Sequence, residues 1–491
     1  MAVLGTTALA CLAASSASAG IADPDPSFGS GGTVSLPFDH ETRDPVVEVA
    51  PDGDIVLAGS IRAAGEDWDT QIVRLAPDGS PVEEFAGDGV LTLDLGEGED
   101  ASAPVIAVTP DGTVVVAVQV DDKIVVEQVL PDGSRDAEYA GDGAAVFSLG
   151  ELGSGAPTDV EVDDAGRAVI AGTAIQPGSG QDAGVARLTT AGELDPGFAE
   201  DGTIALTTCP DPLQTETYAC VEEGGSLYIA PNGDIELFGS TFVIPRGTGF
   251  YAALDPNGTA KEVIHTDDTW DSDVAVLPDS SALVLGNVDH GLTRSVSASL
   301  RRADGSGEDW LYDARPDPNL GDGTARGSSV AALSDGRAIV AGWRDPQGAA
   351  KPGGQLFLID PSSEEGFVQA GPMNAVDVGG TGGGGYVVTQ HLASDWVVKG
   401  FLAPSFDAPQ TRIAAGPRGK IRRNRVAFRF GAVADATQLE FECRLDGRRW
   451  RACRSPESLR RLRKGRHRFR VRAIAHGTAD PTPAKRRFRI R

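Results

Sequence analysis

The chain has 491 residues and a formal net charge of −28, too long for one ordinary core and suited to two or three domains, or to one large repeat array with a smaller companion. Aromatic residues make up only 6% and methionine occurs twice, while Gly 62 and Pro 31 point to many turns, so the core must come from Val, Leu, Ile and Ala in short strands. Past the N-terminus no apolar run approaches the roughly 18 residues of a membrane-spanning helix, which excludes a helical span.

Residues 1–19, MAVLGTTALACLAASSASA, are a short apolar run ending in the small-x-small triplet Ala17-Ser18-Ala19, the pattern of a cleaved signal peptide, although no Lys or Arg precedes Arg43. A secreted, extracellular or cell-surface location is expected. Beyond that segment four cysteines remain in two local pairs, Cys209 with Cys220 and Cys443 with Cys453. These suit disulfides in an oxidising compartment and are spaced too widely for a CxxC metal or redox motif.

From residue 47 one phrase recurs: VEVAPDGDIVLAG (47–59), IAVTPDGTVVVAV (106–118), VEVDDAGRAVIAG (160–172), LYIAPNGDIELFG (227–239), VAVLPDSSALVLG (274–286), VAALSDGRAIVAG (330–342) and a weaker MNAVDVGGTGGGGYVVTQ (373–390). Each reads as two strands around a tight turn, in which Gly53, Gly112, Gly166, Gly233 and Gly336 supply the backbone freedom. Seven second halves follow, such as TQIVRLAPDGS (70–80) and IVVEQVLPDGS (124–134). In the first three copies another strand follows a Gly-Asp-Gly-like turn: FAGDGVLTLDL (85–95), YAGDGAAVFSL (139–149) and FAEDGTIALT (198–207). Four strands per copy at periods of about 40–60 residues predict a β-propeller. The seventh copy stops at FLAPSFDAP without its last strand, whereas DPDPSFGSGGTVSLPF near the start is such a strand with no copy before it. An all-β, seven-bladed propeller over residues 23–408, closed by its N-terminal strand, is therefore expected, with six or eight blades as the alternatives.

LDPGFAEDG (194–202), DPSFGSGG (25–32) and the PDG hairpins resemble the delta-60 repeat family, whose copies carry an LDxSFGxDG turn and a PDGxIxxAG hairpin. The resemblance implies a β-propeller in an exported bacterial protein and no particular activity. Copies four to six depart from the SFGxDG part.

After Pro409 the composition changes. Residues 410–491 hold 25 Lys and Arg against 6 Asp and Glu, a formal +19, which leaves −47 for the remainder. Alternating segments RVAFRFGA (425–432), LEFECRLDG (439–447), HRFRVRAIA (467–475) and KRRFRIR (485–491) predict a small β-sandwich. Phe441, Cys443, Leu445, Asp446, Gly447, Trp450, Cys453, Ser455, Pro456, Gly465, His467, Phe469, Val471, Arg472 and Ala473 resemble the bacterial Ig-like or fibronectin-like modules that read FECxLDGxxWxxCxSP…LxxGxHxFxVRA. That resemblance implies an accessory extracellular domain.

No catalytic or cofactor motif stands out. GGTGGGG (379–385) has the letters of a phosphate loop without a following helix. The Asp-rich stretches HTDDTWDSD (265–273) and DPNLGDG (317–323) offer oxygen ligands for Ca²⁺ but keep no EF-hand spacing, and turn-capping aspartates account for them. There is no GxSxG elbow, and His40, His265, His290, His391, His467 and His476 are scattered without HExxH spacing, so no catalytic, cofactor or metal residue is assigned. The basic module either grips a polyanion, stays solvated, or docks on its own acidic propeller. Its phenylalanines read as core, which argues against specific nucleic-acid recognition. The expected function is non-catalytic binding or scaffolding towards a protein or a cell-envelope polysaccharide, with a propeller-based lyase or glycosidase and a self-associating surface protein as alternatives.

Overall fold

The computed structural model describes residues 23–43, 45–64, 66–94, 101–177, 180–206, 221–243, 246–266, 269–289, 294–303, 308–313, 323–346, 353–359, 361, 367–372, 377–381, 385–392, 395–402, 410–417, 419–433, 440–475, 478–479 and 483–491. The chain divides into two compact units, one spanning Ile21–Ala403 and the other containing Pro404–Arg491. The signal-peptide segment, Cys209 with Cys220, and residues 317–322 lie outside the described residues.

The first unit is all-β. Its first sheet runs from the innermost strand Val46–Val49 through Ile55–Arg62 and Asp69–Leu75 to the outermost strand Val90–Leu93, each antiparallel to the last. Val105–Val108, Gly153–Val162, Val221–Ile229, Thr269–Val276, Gly323–Ala332 and Val378–Gly380 begin six further sheets of the same meander. One parallel bridge, Gln181 to Val221, joins the third and fourth. Each innermost strand touches the innermost strand of the next sheet, and Val378–Gly380 returns to Val46–Val49, so the described sheets close on themselves around an axis. The seventh sheet takes its outermost strand from the other end of the chain: Thr33–Leu36 pairs with Asp395–Phe401, Thr33 opposite Lys399 and Leu36 opposite Trp396. That junction leaves no open edge at the ring's seam.

Sheets in a ring are covered on both faces, which explains the near-continuous apolar strands. Ile55 and Leu57 pack with Val387, Trp396 and Val398 of the seventh sheet, while Val56 and Ala58 pack with Val114 and Val116 of the second; all four are fully buried. Burying such a side chain contributes about 1.5–3 kcal/mol. Small residues are placed where sheets approach most closely: a Cβ on Gly59 would sit 2.4 Å from the Trp396 ring.

The SFGxDG-like turns are joints between sheets. Phe28, Phe85, Tyr139 and Phe198 are buried, and the residue after each turns through positive φ and donates its N–H to the next sheet's second turn: Gly29 to Asp78, Ala86 to Asp132, Ala140 to Ala191 and Ala199 to Asn257, at 2.7–2.9 Å. Glycine is required opposite. At Gly192 (φ 86°) an added Cβ would lie 2.6 Å from Ala140 N and 3.0 Å from the Tyr139 ring. Later junctions substitute polar contacts: Tyr228 Oη donates to Ser280 O at 2.6 Å, and the Arg301 guanidinium bonds Glu236 at 2.9 Å and Tyr251.

In the second unit, Gln410–Ala415, Val426–Val433 and Glu457–Leu459 form one sheet. Gly419–Ile421, Ala484–Ile490, Gly465–Ala475, Glu440–Leu445 and Arg451–Ala452 form the other. They share a core of Val426, Phe428, Phe430, Leu459, Phe469, Val471, Phe488 and Ile490. Phe428 stacks on Phe469 with centroids 4.0 Å apart. Cys443 and Cys453 form a disulfide beneath the strand that carries Arg451.

Candidate functional site

Along the propeller axis all seven sheets contribute to one space of about 330 Å³, through Glu48, Ile106, Asp159, Ser226, Asp273, Ser329 and Asp377 among others. Five carboxylates gather there: Glu48, Asp159, Glu161, Asp273 and Asp377. Their backbone positions follow from the repeat. Asp159, Asp273 and Asp377 each precede a valine of an innermost strand, in the third, fifth and seventh sheets.

These three aspartates are latches between sheets. One oxygen of each accepts the N–H of the next residue, Val160, Val274 or Val378, at 2.8 Å. The other oxygen accepts an N–H from the following sheet: Leu227 to Asp159 at 2.6 Å, Val330 to Asp273 at 2.7 Å, and Val47 to Asp377 at 2.7 Å. The Ser329 hydroxyl also bonds Asp377, so that carboxylate ties the sixth, seventh and first sheets together. An innermost strand has no further strand to satisfy its N–H groups, and the two oxygens of a side-chain carboxyl at its head do so.

The same cluster perturbs its own ionisation. Glu48 is open to the axial space and the aspartates and Glu161 are half-buried towards it, yet all are walled by the ring and removed from bulk water. That desolvation, then the charge of Asp273, raises Glu161 to about 7. Desolvation, then Asp377, raises Asp273 to about 8. Glu48, Asp159 and Asp377 are raised as well, with desolvation the leading cause. Among the described residues no Arg, Lys or His side chain lines the space. Among the described residues no group of three or more His, Cys, Asp and Glu is placed to hold a metal ion.

Aspartates of the hairpin turns cap their own turns. Asp52, Asp78, Asp132, Asp163 and Asp255 accept the N–H two residues on, at 2.9–3.0 Å. Asp273, from the Asp-rich stretch 265–273, is different: it is an axial latch. Buried arginines at the turns have structural partners too. Arg74 bonds Asp54, Asp52 and Gly112 O at 2.8–3.0 Å, and Arg187 bonds Asp195 at 2.8 Å and Pro256 O at 2.5 Å. Of the GGTGGGG stretch, Gly379 and Gly380 end the strand Val378–Gly380 and Thr381 N donates to Gly385 O at 2.9 Å, while residues 382–384 lie outside the described residues. On the rim, Arg43 lies 3.8 Å and Arg62 4.6 Å from the Trp68 ring centroid, and His391 Nε2 is 2.8 Å from Thr42 Oγ1.

The module collects charge of the opposite sign. Arg466, Arg468, Lys485, Arg487 and Arg489 are exposed on two neighbouring strands, and the four arginines with Lys420 border an open groove of about 800 Å³. His467 sits at the core's edge, its ring 5.3 Å from Phe488, with Nδ1 2.6 Å from Asp446 Oδ2 and Nε2 2.8 Å from Arg463 O. Burial works against its protonation, but the Arg463 carbonyl and Asp446 outweigh it and raise its pKa.

This architecture is that of a β-propeller protein. A family model described as "Domain of unknown function (DUF5122) beta-propeller" is similar to residues 50–81 and 166–198, two stretches that each run from a sheet's first turn past its second. No curated protein matches the chain. Similar solved structures include a PL25 ulvan lyase (9% identity, 76% of this chain, 96% of that chain, TM-score 0.45). The propeller domain of the Trilobed protease from Pyrococcus furiosus is similar at 10% identity over 74% of this chain and 98% of that chain, with TM-score 0.41. An α-L-arabinofuranosidase from Podospora anserina is similar at 11% identity over 68% and 91%, with TM-score 0.31.

Proposed function

We propose that the chain is an exported, non-catalytic binding protein: a seven-bladed propeller of delta-60 type serves as the scaffold, and a C-terminal Ig-like sandwich tethers it to an anionic polymer of the cell envelope. The observation that carries the scaffold half is the use made of the axial carboxylates. Asp159, Asp273 and Asp377 each hold two backbone N–H groups and are spent on joining sheets. An acid–base pair acting on a saccharide needs carboxylates free to move a proton, and a lyase needs cationic groups to steady a developing enolate. Among the described residues the axis offers Glu48 and Glu161 for the first role and no cation for the second.

The tether half is supported by the +19 charge of residues 410–491 and by the exposed arginines of the module's larger sheet. Two measurements test the reading. Incubating the full chain with neutral and acidic polysaccharides is expected to release no new reducing ends or unsaturated uronates; turnover abolished by Glu161→Gln would overturn the scaffold half. Retention on envelope fragments is expected to fall when residues 410–491 are removed and to weaken as salt is raised, and equal retention of both chains would overturn the tether half.

A further inference from the structure

We propose that the solvent face of the module's larger sheet binds a linear polyol-phosphate polymer, gripped by successive rows of arginine and lysine. This rests on the tethering role proposed above and names its ligand and its residues. Side chains alternate along a strand, so Arg466, Arg468 and Arg470 share one face of Gly465–Ala475, and Lys485, Arg487 and Arg489 share the same face of Ala484–Ile490. The register sets Arg466 opposite Arg489, Arg468 opposite Arg487 and Arg470 opposite Lys485. Lys420, on the parallel strand Gly419–Ile421, lies beside Arg489 and extends the first row.

Like charges directly opposed across a pair of strands destabilise a sheet. Here three such pairs follow one another, and the fold gains nothing from them. Among the described residues the module's ion pairs are Arg451 with Glu457, Arg472 with Glu442 and His467 with Asp446. Arg466, Arg468, Arg487 and Arg489 have no acidic partner among the described residues. Asp446, the one carboxylate bordering the groove, is occupied: it accepts Arg468 N at 2.7 Å through Oδ1 and meets His467 through Oδ2. The core-facing side of the same strands carries Phe469, Val471, Phe488 and Ile490, all buried. The three rows therefore stand on the open side, while Arg486, on the other side of its strand, donates to Ile413 O at 3.0 Å.

The spacing selects the ligand. Rows repeat about every 7 Å along the strands and about 5 Å across them, a step that phosphodiesters joined by a short polyol can follow with one anion per row. Each guanidinium presents two parallel N–H groups to a phosphate. Duplex nucleic acid presents two phosphate strands at an axial rise of about 3.4 Å each, and single strands are held on rings on which bases stack. Phe469 and Phe488 are in the core and offer none.

The test uses the full chain and poly(glycerol phosphate) as probe, comparing wild type with R466Q/R468Q/R487Q/R489Q and with R422Q/R423Q/R425Q/R449Q, which removes the same charge elsewhere on the module. The face variant is expected to bind at least tenfold more weakly without a lowered melting temperature, and the control within about twofold of wild type. Equal loss in both variants would overturn the face while leaving the tether reading intact. Unchanged binding in both would overturn the tether reading itself. R468K/R487K, which keeps the charge but not the planar fork, guards against a folding failure and is expected to weaken binding severalfold; full binding by it overturns the rows as phosphate clamps. Duplex DNA competing as well as the probe would overturn the assignment to a polyol phosphate.

Discussion

The propeller axis and the module's open sheet are both crowded with charge of one sign, and they treat it in opposite ways. On the axis, the side chains that head the innermost strands find N–H donors within 2.6–2.8 Å on their own and the following sheet. On the module, arginine stands opposite arginine, and four of them have no acidic partner among the described residues. A buried or walled charge must be satisfied for the fold to stand. A solvated charge need not be, so its arrangement is open to another use. Net charge by region, −47 and +19, does not separate these cases; partners do.

That contrast orders the effects of substitution. The ring joints should be most sensitive. Phe198→Ala removes a fully buried ring from a junction and is expected to cost about 3–5 kcal/mol by chemical denaturation. Gly192→Ala should cost more than Gly336→Ala, because both have φ of 86° but only the first would meet atoms within 4 Å. A left-handed alanine alone costs about 1–2 kcal/mol. Equal losses at the two glycines would refute the joint described for the SFGxDG-like turns.

The axial latches come next. Asp273→Ala leaves the N–H of Val330 without its acceptor, for an expected loss of about 1–3 kcal/mol. Glu161 should show itself through pH. Its carboxyl is raised from 4.5 to about 7 in the fold, so the folded chain binds the extra proton between those values and stability is lost as pH rises through that window. Glu161→Gln is blind to this, and its melting temperature relative to wild type should climb between about pH 4.5 and pH 7, then level. A flat difference would mean that Glu161 is ordinarily solvated. The smallest effect belongs to the module: Arg468→Gln with Arg487→Gln should change stability by less than about 0.5 kcal/mol, or raise it, because it removes a like-charge pair. A clear loss would show that those arginines serve the fold after all.

Much of the propeller was legible because its physics is local. Gly53 and Gly112 sit in turns of positive φ, and Asp52 caps its own turn, so the hairpins announced themselves. The N-terminal strand was legible by subtraction, since residues 33–36 complete a sheet whose other strands come from the far end. What a single copy does not disclose is contact between copies. Tyr139 and Phe198 stand ahead of their turns with no role visible in the sequence, and only the fold shows them seated against Gly192 and Gly258 of the next sheet's turn. The axial aspartates carried a faint signal, Asp before Val in the third, fifth and seventh copies, which reads as another turn residue until the following sheet supplies its N–H. In the module the alternation of arginine was plain in the sequence; the opposition of Arg466 to Arg489 and Arg468 to Arg487 depends on register, which an 11-residue strand paired with a 7-residue one does not reveal in advance.

The division of labour between the two regions is tested most directly by the salt dependence of binding. The slope of log affinity for poly(glycerol phosphate) against log salt counts the cations engaged, at about 0.7–0.9 per neutralised phosphate in nucleic-acid polyanions. The full chain carrying Asp159→Asn, Asp273→Asn and Asp377→Asn, measured while folded, should keep the wild-type slope. R466Q/R468Q/R487Q/R489Q should make it shallower by about 3–4. A slope unchanged in the arginine variant, or altered in the axial one, would contradict the account.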